Sequence, residues 1–318
     1  MKRGGGMSRR AIKKKKKRKK RRWKILLFVI AIILVIGGFY LFSVYNNVRT
    51  TVNQDLHEDV SSIDTDETKE KVDNKEPINI LLLGVDEREN DVGRSDTMIV
   101  MTLDPNNDQM QMVSIPRDTR AEIAGDGRVT RINHAYAYGG SDMAANTVEN
   151  FLDIDLDYYV RVNMEGLSQL VDAVNGITVQ NERAFSSGGF DFKEGQLELN
   201  GREALAYVRM RKNDPNGDLG RNERQRQVIQ GIIDKGASLN IMNKVDEVMT
   251  VLGDNVSTNM QFADMRRLAT NYRSARKDIS TYQMSGQGTM SNGMYLMIMS
   301  EEEIQKTHDM IVNFGSKQ

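Results

Sequence analysis

Cysteine is absent from all 318 residues. That excludes a disulfide framework, thiol catalysis and thiolate metal sites, so stability must come from a packed core. Histidine is scarce, with His57, His134 and His308 the three present. No HExxH, G-x-S-x-G or P-loop pattern occurs, and most familiar hydrolase machinery is therefore missing. The first 54 positions hold sixteen Lys or Arg and no Asp or Glu. From Ile25 to Tyr45 there is no charge of either sign.

That last gap sets an expected location. A helix over Ile25 to Tyr45 would be about 31 Å long, against a hydrocarbon core of about 30 Å. Fifteen Lys or Arg between Lys2 and Lys24 precede it, and positive flanks stay in the cytoplasm. The sequence predicts a single-pass type II membrane protein with its N-terminus inside. A cleaved signal peptide is the weaker reading: the run exceeds the usual h-region, and no A-x-A-like site follows it. The basic block is read as a topology signal touching anionic lipid, not as a nucleic-acid tail.

After position 54 the balance reverses to 44 acidic against 28 basic side chains. An acidic ectodomain binds no nucleic acid by its bulk field. Any anion it holds must be gripped by a local cluster of Arg. The expected division is a basic tail over 1–24, a span over 25–45, an extracellular stem over 46–76 and one catalytic domain over 77–318. The stem assignment rests on the highly charged run Asp64 to Lys71, which offers little to bury.

Short apolar runs predict strands at 78–85, 98–103, 110–115, 158–162, 279–284 and 294–299. Helical spacing predicts helices at 142–152, 164–174, 201–207, 219–235, 241–252 and 261–275, with a last helix from Ser300, where Ser300 and Glu303 form a capping box. This mixture indicates an α/β or α+β sandwich around one central sheet.

Four clusters carry chemistry. Asp86 ends the first strand, and Arg94 and Asp96 follow across a short loop. Two carboxylates so placed suit a hard cation such as Mg2+, or serve as turn and cap residues. Arg117 emerges where Pro116 ends the third strand, with Arg120 close behind; a solvated loop is the competing reading. Arg209 and Arg211 alternate with Val208 and Met210, so an extended backbone would turn both guanidiniums to one face. Side-by-side forks suit a pyrophosphate, though the polar face of an edge strand reads the same way. The most specific signal is the helix after Asp218. Arg221 and Gln225 align there with Ile229 and Ile232, facing inward, and an inward Arg needs an anionic partner. Arg224 and Arg226 lie off that stripe and read as a solvated face. His134 is open to two roles, base or structural hydrogen-bonding group.

Taken together these segments resemble the LytR-CpsA-Psr family. The matching pieces are Ile80–Asp86, Gly93–Thr97, Ser114–Thr119, Arg131–Tyr136, Tyr207–Lys212 and Asp218–Gln225. The resemblance implies an α/β/α sandwich around a central mixed sheet, with a hydrophobic pocket for a prenyl chain. It implies transfer of an anionic glycopolymer, such as wall teichoic acid, from undecaprenyl pyrophosphate to the C6 hydroxyl of N-acetylmuramic acid in peptidoglycan. On that reading Asp86 and Asp96 hold Mg2+, with Mn2+ the alternative. Arg94, Arg117, Arg209, Arg211 and Arg221 grip the pyrophosphate, and Asp218 orients an Arg or accepts a proton. Arg120, Arg224 and Gln225 then contact substrate. A prenyl-pyrophosphate hydrolase or a non-enzymatic regulator are the alternatives.

Overall fold

Two-residue periodicity in strand β1 (Ile78–Val85) sets the architecture. Ile78, Ile80 and Leu82 pack into one apolar cluster, while Leu81, Leu83 and Val85 pack into another. A strand buried on both faces must be covered on both. The computed structural model describes residues 43, 45–87, 92–211, 214–238 and 255–315.

The strands of the central sheet are β1, β2 (Ser95–Asp104), β3 (Gln109–Ser114), β6 (Tyr158–Asn163), β11 (Val256–Thr258) and β12 (Asp278–Gln283). Their order is β11-β6-β1-β2-β3-β12. β1 runs antiparallel to β2 and parallel to β6, and β12 runs parallel to β3, so the sheet is mixed as expected. Short ribbons decorate it: β4 (Arg120–Glu122) with β5 (Val129–Arg131), β7 (Ile177–Asn181) with β10 (Gly195–Leu199), β8 (Phe185–Ser187) with β9 (Phe190–Phe192), and β13 (Gln287–Ser291) with β14 (Met294–Ile298).

Helices cover both faces. On one side lie α2 (His134–Leu152), through Ala144, Val148 and Leu152, and α7 (Glu301–Val312), through Ile304 and Ile311. On the other lie α1 (Thr65–Asn74), α5 (Asp218–Ser238) and α6 (Phe262–Asn271), through Val72, Ile229, Ile233 and Leu268. Helices α3 (Met164–Ala173) and α4 (Gly201–Arg209) build a third cluster with β7, β10 and Val228. Asn200 caps α4 through a reciprocal capping box with Glu203, which satisfies two orphan backbone donors. The α/β/α sandwich is therefore observed.

The stem expectation is corrected here. The compact unit begins at Arg49, and Val52, Leu56, Val60, Ile63 and Val72 are buried. The charged run does form a helix, capped by the Asp64 side chain, but its one apolar residue, Val72, is buried in the core together with Thr68. Lys71 also pairs at 3.2 Å with buried Asp157, and Asp157 accepts the Asn79 N–H at 2.8 Å. Composition hid this because one Val every two turns suffices when the partner surface is already apolar. A chain trimmed to start at Pro77 is expected to lose most of its stability. Burying each aliphatic side chain contributes about 1.5–3 kcal/mol, against a total of about 5–15 kcal/mol. Comparing the thermal midpoints of chains that start at 49 and at 77 checks this; equal midpoints would restore the stem.

The predicted span over 25–45 lies outside the described residues apart from Ser43 and Tyr45, as does the predicted helix 241–252. Among the described residues no helix is long and apolar enough to cross a membrane.

Candidate active site

Three chain crossings bring the charged residues together at one end of the sheet. The first is the β1–β2 turn. Gly84 pairs with Thr97, but Val85 pairs with Ser95, which leaves Asp96 as the extra residue of a bulge. A bulge re-aims its side chain out of the strict alternation of the strand. Gly84 permits the close approach, since a Cβ there would stand 2.8 Å from the Thr97 Cβ. Gly93 turns the loop with φ +75°, against the Asp86 carbonyl. Asp86 follows β1 directly, and its N–H donates to the Arg94 carbonyl at 3.3 Å.

The second crossing is the exit of β3. Pro116 ends the ladder and Arg117 turns back across the sheet end. Its Nη1 donates to Asp96 Oδ2 at 2.9 Å, and its Nε lies 3.6 Å from Asp218 Oδ2 and 3.8 Å from Asp118 Oδ2. The third is the start of α5. Asp218 faces three guanidiniums: Arg117, Arg221 at 3.2 Å and Arg211 at 3.6 Å. Arg221 also donates to the Asp96 carbonyl at 3.3 Å. Asp96, Arg117, Arg211, Asp218 and Arg221 thus form one contiguous network drawn from β2, β3, the end of α4 and α5.

The network is only partly satisfied. Arg117 Nε, Arg221 Nε and Asp218 Oδ1 are buried, and none reaches a hydrogen-bond partner among the described residues. Buried polar atoms left over in this way call for a functional explanation, and guanidinium donors point to an anion. The two inner arginines differ in electrostatics. Burial disfavours the charge of Arg117, but Asp96 and Asp218 outweigh it and its pKa is raised. Burial dominates at Arg221, Arg117 repels it, and its pKa is lowered despite Asp218. Arg221 is therefore held charged at a cost that a bound anion relieves.

An apolar cavity of about 220 Å3 opens beside the cluster, between the sheet, α3 and α5. Leu82, Val160, Leu167, Val228, Ile229 and Ile232 line it. Gly84 and Thr97 carry its wall to the bulge, and Gln225 carries it to the turn of α5 that bears Arg221.

The other expected residues fall as follows. Arg94 is exposed, and its charge adds to burial in lowering the pKa of His134. His134 Nδ1 sits 3.1 Å from Thr130 Oγ1 and 3.5 Å from the Tyr138 hydroxyl. Arg209 is the last residue of α4, not part of an extended segment; exposure still alternates, with Arg209 and Arg211 out and Met210 in. Arg120 is exposed on β4 opposite Arg131 and makes no ion pair with the cluster's carboxylates among the described residues.

Arg224 is neither solvated nor in the cluster. It is buried, donating to the Tyr207 and Met210 carbonyls at 3.1 and 2.6 Å and to Asp214 at 2.6 Å. It fastens the end of α4, whose last carbonyls lack helical partners. Arg226 is likewise buried, bonded to Ser114 and Gln283. Arg224→Ala is expected to destabilise the fold by about 3–5 kcal/mol, because half-buried Asp214 loses its ion pair and the buried Tyr207 and Met210 carbonyls lose their donor. Denaturant unfolding measures it, and a loss below about 1 kcal/mol would place Arg224 among surface pairs.

Sequence reading left Asp118, Arg131, Glu87 and Arg161 without roles. Arg131 bridges Asp118 at 3.2 Å and the Tyr295 carbonyl at 2.8 Å, tying the β4–β5 ribbon to β14. Arg161 holds Glu87 at 2.7 Å, and the Tyr136 hydroxyl donates to the same carboxylate at 2.5 Å. Asp118 and Arg131 fall inside two of the family-like segments, whereas Glu87 and Arg161 are marked by contacts distant in sequence.

No group of three or more His, Cys, Asp or Glu able to hold a metal occurs among the described residues. Asp86 and Asp96 stand at the two ends of the loop between β1 and β2, and Mg2+ takes one or two carboxylates and completes its shell with water and phosphate oxygens.

The LytR_cpsA_psr family model matches residues 40–312. The polyisoprenyl-teichoic acid–peptidoglycan teichoic acid transferase TagU of Bacillus licheniformis is 44% identical over 267 residues, covering 84% of this chain and 87% of that protein. The crystal structure of B. subtilis TagU aligns with a TM-score of 0.63 at 42% identity, over 76% of this chain and 98% of the other. A structure of TagT bound to LI-WTA aligns with a TM-score of 0.64 at 31% identity, over 76% and 91% of the two chains.

Proposed function

This chain belongs to the LytR_cpsA_psr family, and from that membership we propose that it is a ligase joining a lipid-carried anionic glycopolymer to peptidoglycan. One observation carries the reading. Arg221, Gln225, Ile229 and Ile232 lie along one stripe of α5, and the partly satisfied guanidinium cluster adjoins an apolar cavity through Gln225 and through Gly84 and Thr97 beside the bulge. A donor with a prenyl chain at one end and a pyrophosphate next to it has that same sequence of chemistry. The relatives are teichoic acid transferases acting between polyisoprenyl-linked teichoic acid and peptidoglycan, so a teichoic acid-like polymer on undecaprenyl pyrophosphate is the donor proposed.

In this reading the prenyl chain enters the cavity and the pyrophosphate lies over Arg117, Arg211 and Arg221, with Arg94 and Arg209 at the exposed rim. A muramyl C6 hydroxyl attacks the phosphorus that carries the polymer. The new bond is oxygen to that phosphorus, the bridging P–O bond breaks, prenyl phosphate leaves, and the hydroxyl proton passes to solvent. Catalysis of phosphoryl transfer is mostly positioning and charge stabilisation, which suits a site with no protein nucleophile. Asp218, facing three guanidiniums, orients them. Asp86 and Asp96 would hold Mg2+, or Mn2+, which neutralises charge on the pyrophosphate oxygens when bound.

The basic tail and the uncharged run over 25–45 complete the proposal: a single-pass anchor, tail inside and catalytic domain outside, that keeps the enzyme beside its lipid donor. The test uses the full-length protein in detergent with a prenyl-pyrophosphate-linked saccharide, Mg2+ and a peptidoglycan oligomer, and mass spectrometry of the products. A saccharide–phosphate–muramyl adduct is expected. Prenyl phosphate released without an adduct would make the enzyme a hydrolase, and donor binding without turnover would make it a regulator.

A further inference from the structure

A second cavity, of about 520 Å3, lies on the other flank of α5. Its size falls within the range of about 300–1,000 Å3 usual for small-ligand sites. Gln225, Ile229 and Ile232 face the apolar cavity, whereas Leu219, Glu223 and Gln227 face this one.

The wall mixes polar and apolar surface and carries no surplus charge. Arg224 is paired with Asp214 at 2.6 Å and Arg226 with Glu223, which leaves one exposed residue of each sign, Glu182 and Arg183. A polyanion gains nothing there. Phe185 contributes a half-buried aromatic ring, braced by Phe192 and Tyr207 at centroid distances of 4.9 and 5.5 Å and by the Arg224 guanidinium 5.3 Å over it, so its rim faces the cavity. Leu219, 47% exposed, adds apolar surface. Asn216 brings an amide that donates and accepts, and Gln227 brings an amide nitrogen beside the oxygen that accepts from the Tyr207 hydroxyl at 2.8 Å. Apolar faces for C–H groups with amides and carboxylates for hydroxyls are the requirements of an uncharged sugar.

Position favours the acceptor over the donor. Attacking and leaving oxygens lie roughly in line in phosphoryl transfer. A prenyl phosphate leaving toward the apolar cavity therefore requires a hydroxyl arriving from elsewhere, and this cavity occupies the opposite flank of the same helix. The two sites also share one connection: Arg211 and Asp218 belong to the cluster, while Met210, Asp214 and Leu219 belong to this wall.

We propose that this cavity is an acceptor subsite that holds an N-acetylhexosamine unit of the glycan strand, away from the unit that is attacked. The assignment to the acceptor rests on the ligase reading; the saccharide chemistry does not.

The probe is a lipid-free tetrasaccharide of alternating N-acetylglucosamine and N-acetylmuramic acid, with the full-length protein. Ala184→Trp, at an exposed lining position, fills the cavity, and Phe185→Leu removes the ring. The expected result for both is an acceptor KM raised about tenfold or more at unchanged kcat and donor KM, the signature of lost uniform binding. Calorimetry should show the same weakening for the tetrasaccharide without donor. An adduct formed by the wild type with both variants unchanged would overturn the subsite and leave the ligase reading standing. No adduct, but tetrasaccharide binding that Ala184→Trp abolishes, would remove the ligase reading and keep a saccharide site. Absence of binding to the wild type overturns the inference.

Discussion

Arg221→Met is expected to lower glycopolymer transfer by about 10²–10³-fold, the usual effect of deleting one preorganised donor to a developing anion, without lowering thermal stability. The two halves of that expectation have one cause. Arg221 is buried at the start of α5, where burial and the neighbouring Arg117 both oppose its charge and only part of that is offset by Asp218. Its Nε has no hydrogen-bond partner among the described residues. A buried charge kept under those terms contributes little to folding, and its removal orphans no carboxylate, since Asp218 keeps Arg117 and Arg211 at 3.6 Å each. Methionine keeps the volume and the apolar stem, so the α5 stripe stays packed. Transfer assayed with saturating donor, beside a thermal melt, separates the outcomes. Loss of activity at an equal or higher midpoint identifies a residue kept for the anion. A midpoint lowered by many degrees would make Arg221 a structural strut, and transfer within about threefold of wild type would remove it from the site.

The stripe that prompts this prediction is legible in sequence because helical periodicity is local. Arg221, Gln225, Ile229 and Ile232 recur at spacings of four, four and three, and α5 forms over Asp218–Ser238. The strands of the central sheet are legible for the same reason: a short apolar run such as Ile78–Val85, broken only by Asn79, reads as a strand or helix buried on both sides, and Pro77 and its length favour the strand. What escapes is everything that depends on a second surface. Arg224 and Arg226 are off the stripe and look solvated, yet the end of α4 and the strands β3 and β12 cover them. The run Asp64 to Lys71 looks like a stem, yet Val72 and the preceding aliphatics find apolar partners far along the chain. The short ribbons β4–β5 and β8–β9, three residues per strand, have no period long enough to read. The cluster itself is legible only as residue types at the ends of runs. Its assembly around Asp218 depends on a bulge at Asp96 that nothing in the sequence announces.

That bulge makes Asp96 the residue whose loss should cost most. Its carboxylate accepts from Arg117 at 2.9 Å, and its carbonyl accepts from Arg221 at 3.3 Å. In the proposed mechanism it is also one of two carboxylates for Mg2+. Asp96→Ala is expected to reduce transfer by about 10³-fold or more, exceeding a single donor loss because positioning and charge neutralisation fail together. It should also destabilise the fold by about 1–3 kcal/mol, as expected when a partly buried ion pair loses one member. Full orphaning is avoided, since Arg117 keeps Asp218 at 3.6 Å and Asp118 at 3.8 Å. The direction is opposite to that at Arg221: Asp96 is the first of the charges that raise the pKa of Arg117, so it offsets the burial of that guanidinium. Asp96→Asn divides the two roles. An amide oxygen still accepts from Arg117, so stability should largely return, while a neutral ligand holds Mg2+ poorly. If the metal role is right, Asp96→Asn needs far more Mg2+ for half-maximal transfer, and Mn2+ binding followed by electron paramagnetic resonance weakens in parallel. If Asp96 serves only to place Arg117, the asparagine variant recovers activity together with stability and its metal dependence does not move, and Asp86 and Asp96 then revert to turn and network residues.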